Sequence, residues 1–439
     1  MSGPDTRRPR IAAAVAAALL LLAVAAVLAA STPWRTLPGG APHVRPDPAL
    51  DFSAPEVARA RAFDAAINPP AYLSLGLGLL AVLVLGLTPL GARLLRATAA
   101  RVRPWPLRVL LGVVVLTTVL RLVGLPFRWW SHDVLDRYGL STQAVPAWLA
   151  DQGKSLAVTW VIYTVALLPL FALLRRFPRY WWTGAALGAF LLVVAGSFAY
   201  PVAVEPLFNS FHKLPTGELR TDLMAMASRD GVPVKDVLVA DASRRTTTLN
   251  AYVSGFGSTR RIVVYDTLLS SPPAQIRSIV AHELGHAKHG DVLYGTLVGG
   301  LAVAGGVCLL AVLLSSPRLL RRAGLDPPAP GRAVADPRAI ALVLALVAAG
   351  TQLAAPAENL VSRRIEARAD AHALDLTRDP ATFVEMQHEL SVRNIDDLRP
   401  DVLERLLWMT HPSGPERIAM ARSWSRLHHD AEPPPFAHR

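Results

Sequence analysis

With one cysteine in 439 residues, Cys308, the chain cannot form an internal disulfide and is poorly suited to thiol catalysis. Set in an apolar run, Cys308 has the character of a small buried hydrophobe. Charge is scarce too: 18% of residues are charged and 52% are hydrophobic, with a mean hydropathy of +0.34. This is too apolar for an ordinary soluble protein. No internal repeat is visible. The net charge of +12 raises nucleic acid as a partner. The distribution of the charge argues against it, because the arginines sit mainly in short loops beside apolar runs, as the positive-inside rule expects.

What is abundant is long apolar sequence. Runs with little or no charge occupy Ile11–Ala30, Pro70–Ala92, Val109–Phe127, Ser155–Leu174, Tyr180–Val202, Val292–Ser316 and Ala339–Ala357. Each is near the roughly 20 residues a helix needs to cross a bilayer core. The third is interrupted by Arg121, which at that depth faces a protein interior, a wet cavity or the interface. The first follows Arg7, Arg8 and Arg10 and is longer than a typical signal-peptide core, so it is expected to be an uncleaved signal anchor.

Between the spans, Ser31–Asn68 reads as a linker. Arg128–Lys154 is polar and carries Trp129, Trp130 and Trp148, expected first as interfacial anchors and second as substrate-facing residues. Ala203–Gly290 is the largest hydrophilic region. It predicts a helix over Gly217–Arg229 and strands at Asp236–Ala240, Leu249–Val253 and Arg261–Asp266, the last two joined as a hairpin by the Gly-rich Ser254–Arg260. Pro317–Pro337 reads as a loop. Helices are expected over Glu358–Leu376, Ala381–Val392 and Asp401–Trp408, and a disordered tail from Glu432. The expected divisions are an anchor and linker over 1–68, membrane helices over 69–202, a catalytic region over 203–290, two more spans over 291–357, a C-terminal helical part of the site over 358–431, and the tail over 432–439.

The most informative five residues are His282-Glu283-Leu284-Gly285-His286, an HExxH motif. On a helix the two histidines share a face one turn apart and can hold one Zn²⁺, while Glu283 can serve as general base. With 12 histidines, chance yields such a motif in on the order of one per cent of comparable chains, so context decides. Ile276, Ile279, Val280, Leu284 and Ala287 supply an apolar stripe at helical spacing, and Ser271-Pro272-Pro273 precedes them as a helix entry. A strand edge just before this helix suits a peptidase, because an extended peptide can pair with it. A third protein ligand is required. Glu358, Glu366, Asp370, His372 and Asp375 all follow, and spacing alone does not choose among them.

Ser362-Arg363-Arg364-Ile365-Glu366-Ala367-Arg368-Ala369-Asp370 resembles the SRxxExxAD segment of the CAAX prenyl protease 1 family, membrane zinc peptidases related to the bacterial protease HtpX. Glu205–Asn209 with Phe211 resembles its EPLFNxF segment. Asn250-Ala251-Tyr252, Gly255-Phe256 and Arg261–Leu269 resemble its NAY…GF…RIVLYDTLL run, and His411-Pro412 with Arg417 its HPxxxxR segment. The order is conserved across most of the chain, although Met1–Asn68 matches no family motif. The resemblance implies Glu366 as third zinc ligand, Asp370 as a residue orienting a ligand, and His411 near the open metal position as oxyanion donor. It also implies Asn250, Ala251 and Tyr252 on the substrate edge, and about seven membrane helices enclosing a wet chamber.

The expected protein is therefore mainly α: a multi-spanning integral membrane protein of about seven transmembrane helices around a chamber, with a zincin-type α+β catalytic region. Its expected activity is that of a zinc metalloendopeptidase with one Zn²⁺ per chain. It would act on membrane-associated or CAAX-like peptides in a bacterial cell membrane, with peptide and bilayer as partners. A transporter, or an inactive membrane chaperone or sensor, is the alternative. Arg7–Arg10, Arg93–Arg103, Arg175–Arg179 and Arg318–Arg332 fall on one side if every run crosses. Their richness in arginine makes that side cytoplasmic and the zinc helix extracytoplasmic. The family resemblance implies the opposite face.

Overall fold

The computed structural model describes residues 7–255, 257–325 and 333–436. Phe256 and residues 326–332 of the Pro- and Arg-rich loop lie outside them.

The first half is a helical membrane body. α1 (Arg7–Ser31) is followed by the linker, which contains α2 (Pro48–Asp51). α3 (Ala54–Leu87) begins at a capping box made by Ser53 and Glu56, well before the expected span. It ends at Leu87 rather than Ala92, because Thr88 precedes Pro89 and is held extended. Thr88 then caps α4 (Pro89–Thr98). α5 (Trp105–Arg137), α6 (Val145–Arg176) and α7 (Trp181–Ala199) complete this half.

The catalytic region starts with the short strand β1 (Phe211–Lys213), followed by α8 (Glu218–Arg229), β2 (Asp236–Ala240), β3 (Ala251–Ser254) and β4 (Arg261–Tyr265). The sheet order is β1-β2-β4-β3, with β2 and β4 parallel and the other pairs antiparallel. The expected hairpin is present as β3–β4; β1, three residues long, was not legible in the sequence. α9 (Pro273–His289) carries HExxH, and α10 (Asp291–Leu314) returns through the membrane body. α11 (Pro317–Arg322) is a short turn of helix inside the expected loop. α12 (Ile340–Thr377) is one unbroken helix through Pro356, joining the last span to the expected Glu358–Leu376 helix. α13 (Pro380–Asn394), α14 (Val402–Leu407) and α15 (Gly414–His428) close the chain; α15 was not anticipated.

Among the described residues, seven helices are long and apolar enough to cross a membrane: α1, α3, α5, α6, α7 with its extension to Leu207, α10, and α12. α1 runs antiparallel to α10, with the Ser31 hydroxyl 2.7 Å from that of Tyr294 and Leu21 against Gly305. Ala92, Leu95, Leu174, Trp181, Leu314, Leu320 and Ala323 form one buried cluster. Arg175 lies 5.2 Å over the Trp105 ring. These contacts put the arginine-rich segments after α4, α6 and α10, and the start of α1, at one end of the bundle. The catalytic region occupies the other end.

At the catalytic end, α3, α5, α6 and α12 surround a cavity of about 1130 Å³, the expected chamber. Arg121 lines it, with Nη2 donating to Ser155 Oγ at 2.9 Å. The tryptophans divide. Trp129 and Trp130 are exposed, as anchors would be. Trp148 is buried and lines the cavity, stacked on His132 at 5.2 Å, so it is not an interfacial anchor.

The linker and the C-terminal tail both grip the catalytic region. In the linker, Phe52 and Ala60 enter the same core as Leu223, Val264, Leu284, Phe383 and Trp424. Asp51 pairs through both oxygens with Arg422; the two side chains are 2% and 4% exposed. The tail does not leave the body at Glu432 as expected. Pro433 O accepts from Arg422 Nε at 3.1 Å, and Phe436 stacks on His388, whose ring also stacks on Phe52. α15 has already ended at His428, capped by the left-handed His429, and the prolines that follow stay packed on the body.

Removing one half of a buried ion pair strands the other charge. Asp51→Ala is expected to destabilise the catalytic region by about 3–5 kcal/mol. It should lower the unfolding midpoint in detergent and speed protease cleavage within residues 34–46. An unchanged midpoint would show that the linker is not clamped by this pair.

Candidate metal and active site

The local sequence builds α9 around its apolar stripe: Ile276, Val280 and Leu284 are fully buried. The polar residues of HExxH then face α12. Their approach depends on Gly285, in the middle of the motif. A Cβ there would stand 3.1 Å from His372 Cβ and 3.2 Å from Ala369 Cα. Any larger residue would push α9 and α12 apart.

Across this contact lies Glu366. One ligand atom from each of His282, His286 and Glu366 can be chosen so that all three lie within 4.8 Å of one another, and this is the one such group among the described residues. The two Nε2 atoms are 3.2 Å apart. Glu366 Oε2 is 3.2 Å from His282 Nε2, and its Oε1 is 3.5 Å from His286 Nε2. Two ligands at roughly 2.0–2.1 Å from a tetrahedral ion stand about 3.3 Å apart, so the donor spacing fits zinc.

The far side of each imidazole is fixed. His282 Nδ1 meets Asp370 Oδ1 at 2.8 Å, and His286 Nδ1 meets Asp291 Oδ2 at 2.9 Å. A carboxylate there accepts a hydrogen bond from Nδ1–H, which keeps the proton on Nδ1 and leaves the Nε2 lone pair free for a metal. Asp370 was expected in this position. Asp291 was not. It is the first residue of α10, reached through Gly290, whose left-handed conformation (φ 67°) ends α9 and turns the chain back. Arg368 holds Asp291 from α12. Arg417 of α15 grips both oxygens of Asp370, with Nε 2.9 Å from Oδ2, and so ties the HPxxxxR segment to the histidine.

The remaining candidates for third ligand have other partners. His372 Nε2 bonds Asp230 at 3.0 Å, Asp375 accepts from the Trp424 indole at 2.9 Å, and Glu358 is exposed. Glu283 Oε1 lies 4.0 Å from His282 Nε2, and burial pushes its carboxyl above the usual carboxylate range. A raised carboxyl is a stronger base. His411 approaches from the loop before α15, with Nε2 3.3 Å from Glu366 Oε2. Its side chain is 58% exposed, so a substrate can reach it. Arg363 steadies that loop, with Nη1 donating to the carbonyls of Arg405 and Met409 at 2.7 and 2.6 Å.

Among the described residues β3 pairs with β4 alone, so it is one of the two edges of the sheet, the one that lies beside α9. Asn250 is exposed just ahead of it. Ala251 is buried and offers only its backbone. The Tyr252 hydroxyl turns to Glu205 Oε2, 3.4 Å away.

Comparison with known proteins agrees with this arrangement. Residues 213–425 match the peptidase family M48 model, and residues 73–210 match the CAAX prenyl protease N-terminal model of five membrane helices. The chain is 33% identical to the uncharacterized metalloprotease YhfN of Bacillus subtilis, over 73% of its own length and 75% of that protein. It is 30% identical to a CAAX prenyl protease 1 homolog of Arabidopsis thaliana, over 65% and 69%. The crystal structure of S. mikatae Ste24p superposes with a TM-score of 0.74, covering 93% of this chain and 98% of that one at 22% identity. Together, the two domain matches and the relatives that span most of its length place the chain in peptidase family M48, as a multi-pass membrane metallopeptidase.

Proposed function

We propose that the chain is a zinc endopeptidase of a bacterial cell membrane that cleaves membrane-associated peptides, with His282, His286 and Glu366 as the zinc ligands. The observation that carries this reading is the pair of Nε2 atoms 3.2 Å apart, each imidazole backed by its own carboxylate, with Glu366 opposite. A zinc ion bound there would polarise a scissile carbonyl and acidify a water. Glu283 takes a proton from the attacking water and passes it to the leaving amine. His411, exposed and beside Glu366, donates to the oxygen that gains charge. β3, with Ala251 and Tyr252 at its start and Asn250 just ahead of it, orders the peptide by backbone pairing. Asp370 and Asp291 hold the imidazoles, and Arg417 and Arg368 hold the carboxylates. CAAX-like peptides are among the expected substrates, by relation to the plant homolog. A transporter would leave the HExxH helix and the free strand edge without a role.

His282→Ala should abolish stoichiometric zinc in purified protein, by metal analysis. Glu283→Gln should keep the zinc and lose nearly all cleavage of a peptide substrate. If that variant cleaves normally, the base is elsewhere, and an inactive wild type would favour a chaperone or sensor.

Asp291→Asn should weaken zinc affinity about 10–100-fold, as should Asp370→Asn, measured by chelator competition. Equal affinity in Asp291→Asn would remove it from the site.

His411→Ala should lower kcat by roughly 10²–10³ with a smaller change in KM. A change confined to KM would make His411 a binding group only.

The arginine-rich end of the bundle is expected to face the cytoplasm. In a Cys308→Ala background, an impermeant thiol reagent on intact cells should label a cysteine at Glu432 and spare one at Arg101. The reverse pattern would invert the orientation.

A further inference from the structure

Outside the chamber, a second cavity of about 650 Å³ lies where the linker crosses α12 and α15. Among the described residues its walls carry five arginines, Arg35, Arg363, Arg364, Arg405 and Arg417, against two carboxylates, Asp370 and Glu416. Both carboxylates are taken: Asp370 by Arg417, and Glu416 by Arg405 at 2.9 Å. Arg35, Arg363 and Arg364 are left without a matching charge. Arg363 donates only to backbone carbonyls, those of Arg405 and Met409. Arg35 and Arg364 are exposed and have no hydrogen bond or ion pair among the described residues. Guanidinium forks suit phosphate oxygens, which they meet two at a time.

The depth of the cavity indicates which phosphate. The apolar run of α12 ends at Ala357, and α1 ends at Ser31. Leu360 and Trp34, just past those two ends, both line the cavity, and they are 40% and 43% exposed. A tryptophan at a span end sits at headgroup level. Leu353, 84% exposed inside the span, lies two turns before Leu360, and Arg364 lies one turn after it. The three share one face of α12, over a rise of about 16 Å. That face is apolar where acyl chains run and cationic where phosphates lie. A soluble acid would leave the two leucines without a partner. We propose that this cavity binds the phosphate of an anionic membrane lipid, held by Arg35, Arg363 and Arg364, with an acyl chain along Leu360 and Leu353. Basic pockets beside membrane helices take such headgroups. The linker walls the headgroup in, and Arg363 joins it to the loop that carries His411. Asp370 and Arg417 line the same space, so the lipid packs against the frame of the zinc site. Binding of the lipid does not rest on the peptidase reading and is tested without turnover.

The test places a fluorophore in the cavity wall of the full-length chain, on Ala41→Cys in a Cys308→Ala background. In detergent micelles it is titrated with phosphatidylglycerol or phosphatidylcholine bearing a nitroxide near the top of the acyl chain. Quenching then reports only lipid that reaches this cavity. Phosphatidylglycerol is expected to quench at about 25-fold lower concentration than phosphatidylcholine, about fivefold for each of the two exposed arginines. Arg35→Gln and Arg364→Gln together should bring the ratio close to one. Arg318→Gln with Arg322→Gln, the same charge removed at the other end of the bundle, should leave it unchanged. The ratio is independent of the folded fraction, so a poorly folding variant does not mimic the effect. A ratio near one in the parent protein, a preference that survives Arg35→Gln and Arg364→Gln, or the same fall in the Arg318→Gln, Arg322→Gln control would overturn the proposal. So would displacement of phosphatidylglycerol by an equal concentration of glycerol 3-phosphate, which would make the ligand a free phosphate. Displacement by a short polyglutamate peptide would overturn it as well, and would assign the arginines to an acidic chain.

Discussion

Asp370 is fully buried, and three elements meet on its carboxylate. It lies on α12, takes the Nδ1 side of His282 on α9, and receives both ends of the Arg417 fork from α15. A carboxylate at this depth is tolerable only because both oxygens are met by charged or polar donors. The requirement works in both directions. Asp370 needs Arg417 and His282, so α15 and α9 must dock where they do. In docking, they aim the imidazole at the point where Glu366 also arrives. Stability of the domain and alignment of the donors thus rest on the same contacts.

Asp291 repeats the arrangement for His286, with Arg368 in place of Arg417. The site is therefore two carboxylate–imidazole pairs on either side of Glu366. Gly285 sets the helix separation that makes this possible, since its missing side chain lets Ala369 and His372 approach. The membrane helices supply the other boundary condition. They carry α10 and α12, whose ends bear Asp291 and Glu366, and they enclose the space next to the free edge of β3.

Legibility in the sequence followed the range of the signal. The seven spans were readable because each depends only on local composition, although their limits were not. The Pro89 stop shortened one at its C-terminal end, and α3, α5 and α12 each continue as helix beyond the apolar run. The HExxH pair was readable because i and i+4 are neighbours on any helix. Choosing Glu366 over Asp370, His372 and Asp375 required knowing how α12 is rotated against α9, which spacing does not contain. The family resemblance provided that choice, and the structure sets Glu366 Oε2 3.2 Å from His282 Nε2. Asp291, just beyond the motif and behind a glycine, was a signal available and unused. Arg417 stood in a recognised segment without a role, because its partner is 47 residues away in sequence. Trp148 misled because a tryptophan near a span end looks the same whether it meets lipid or a cavity.

α12 has a mechanical consequence. It is a single helix of 38 residues, bedded in the membrane at one end and carrying Glu366 near the other. From Val347, inside the span, to Glu366 the rise is about 28 Å. Helices answer a change in bilayer thickness by tilting. Because α12 is packed on α9 at Gly285 and bonded to it through Asp370 and His282, a tilt of that rod carries α9 along with it, so the span and the donor cluster move as one body.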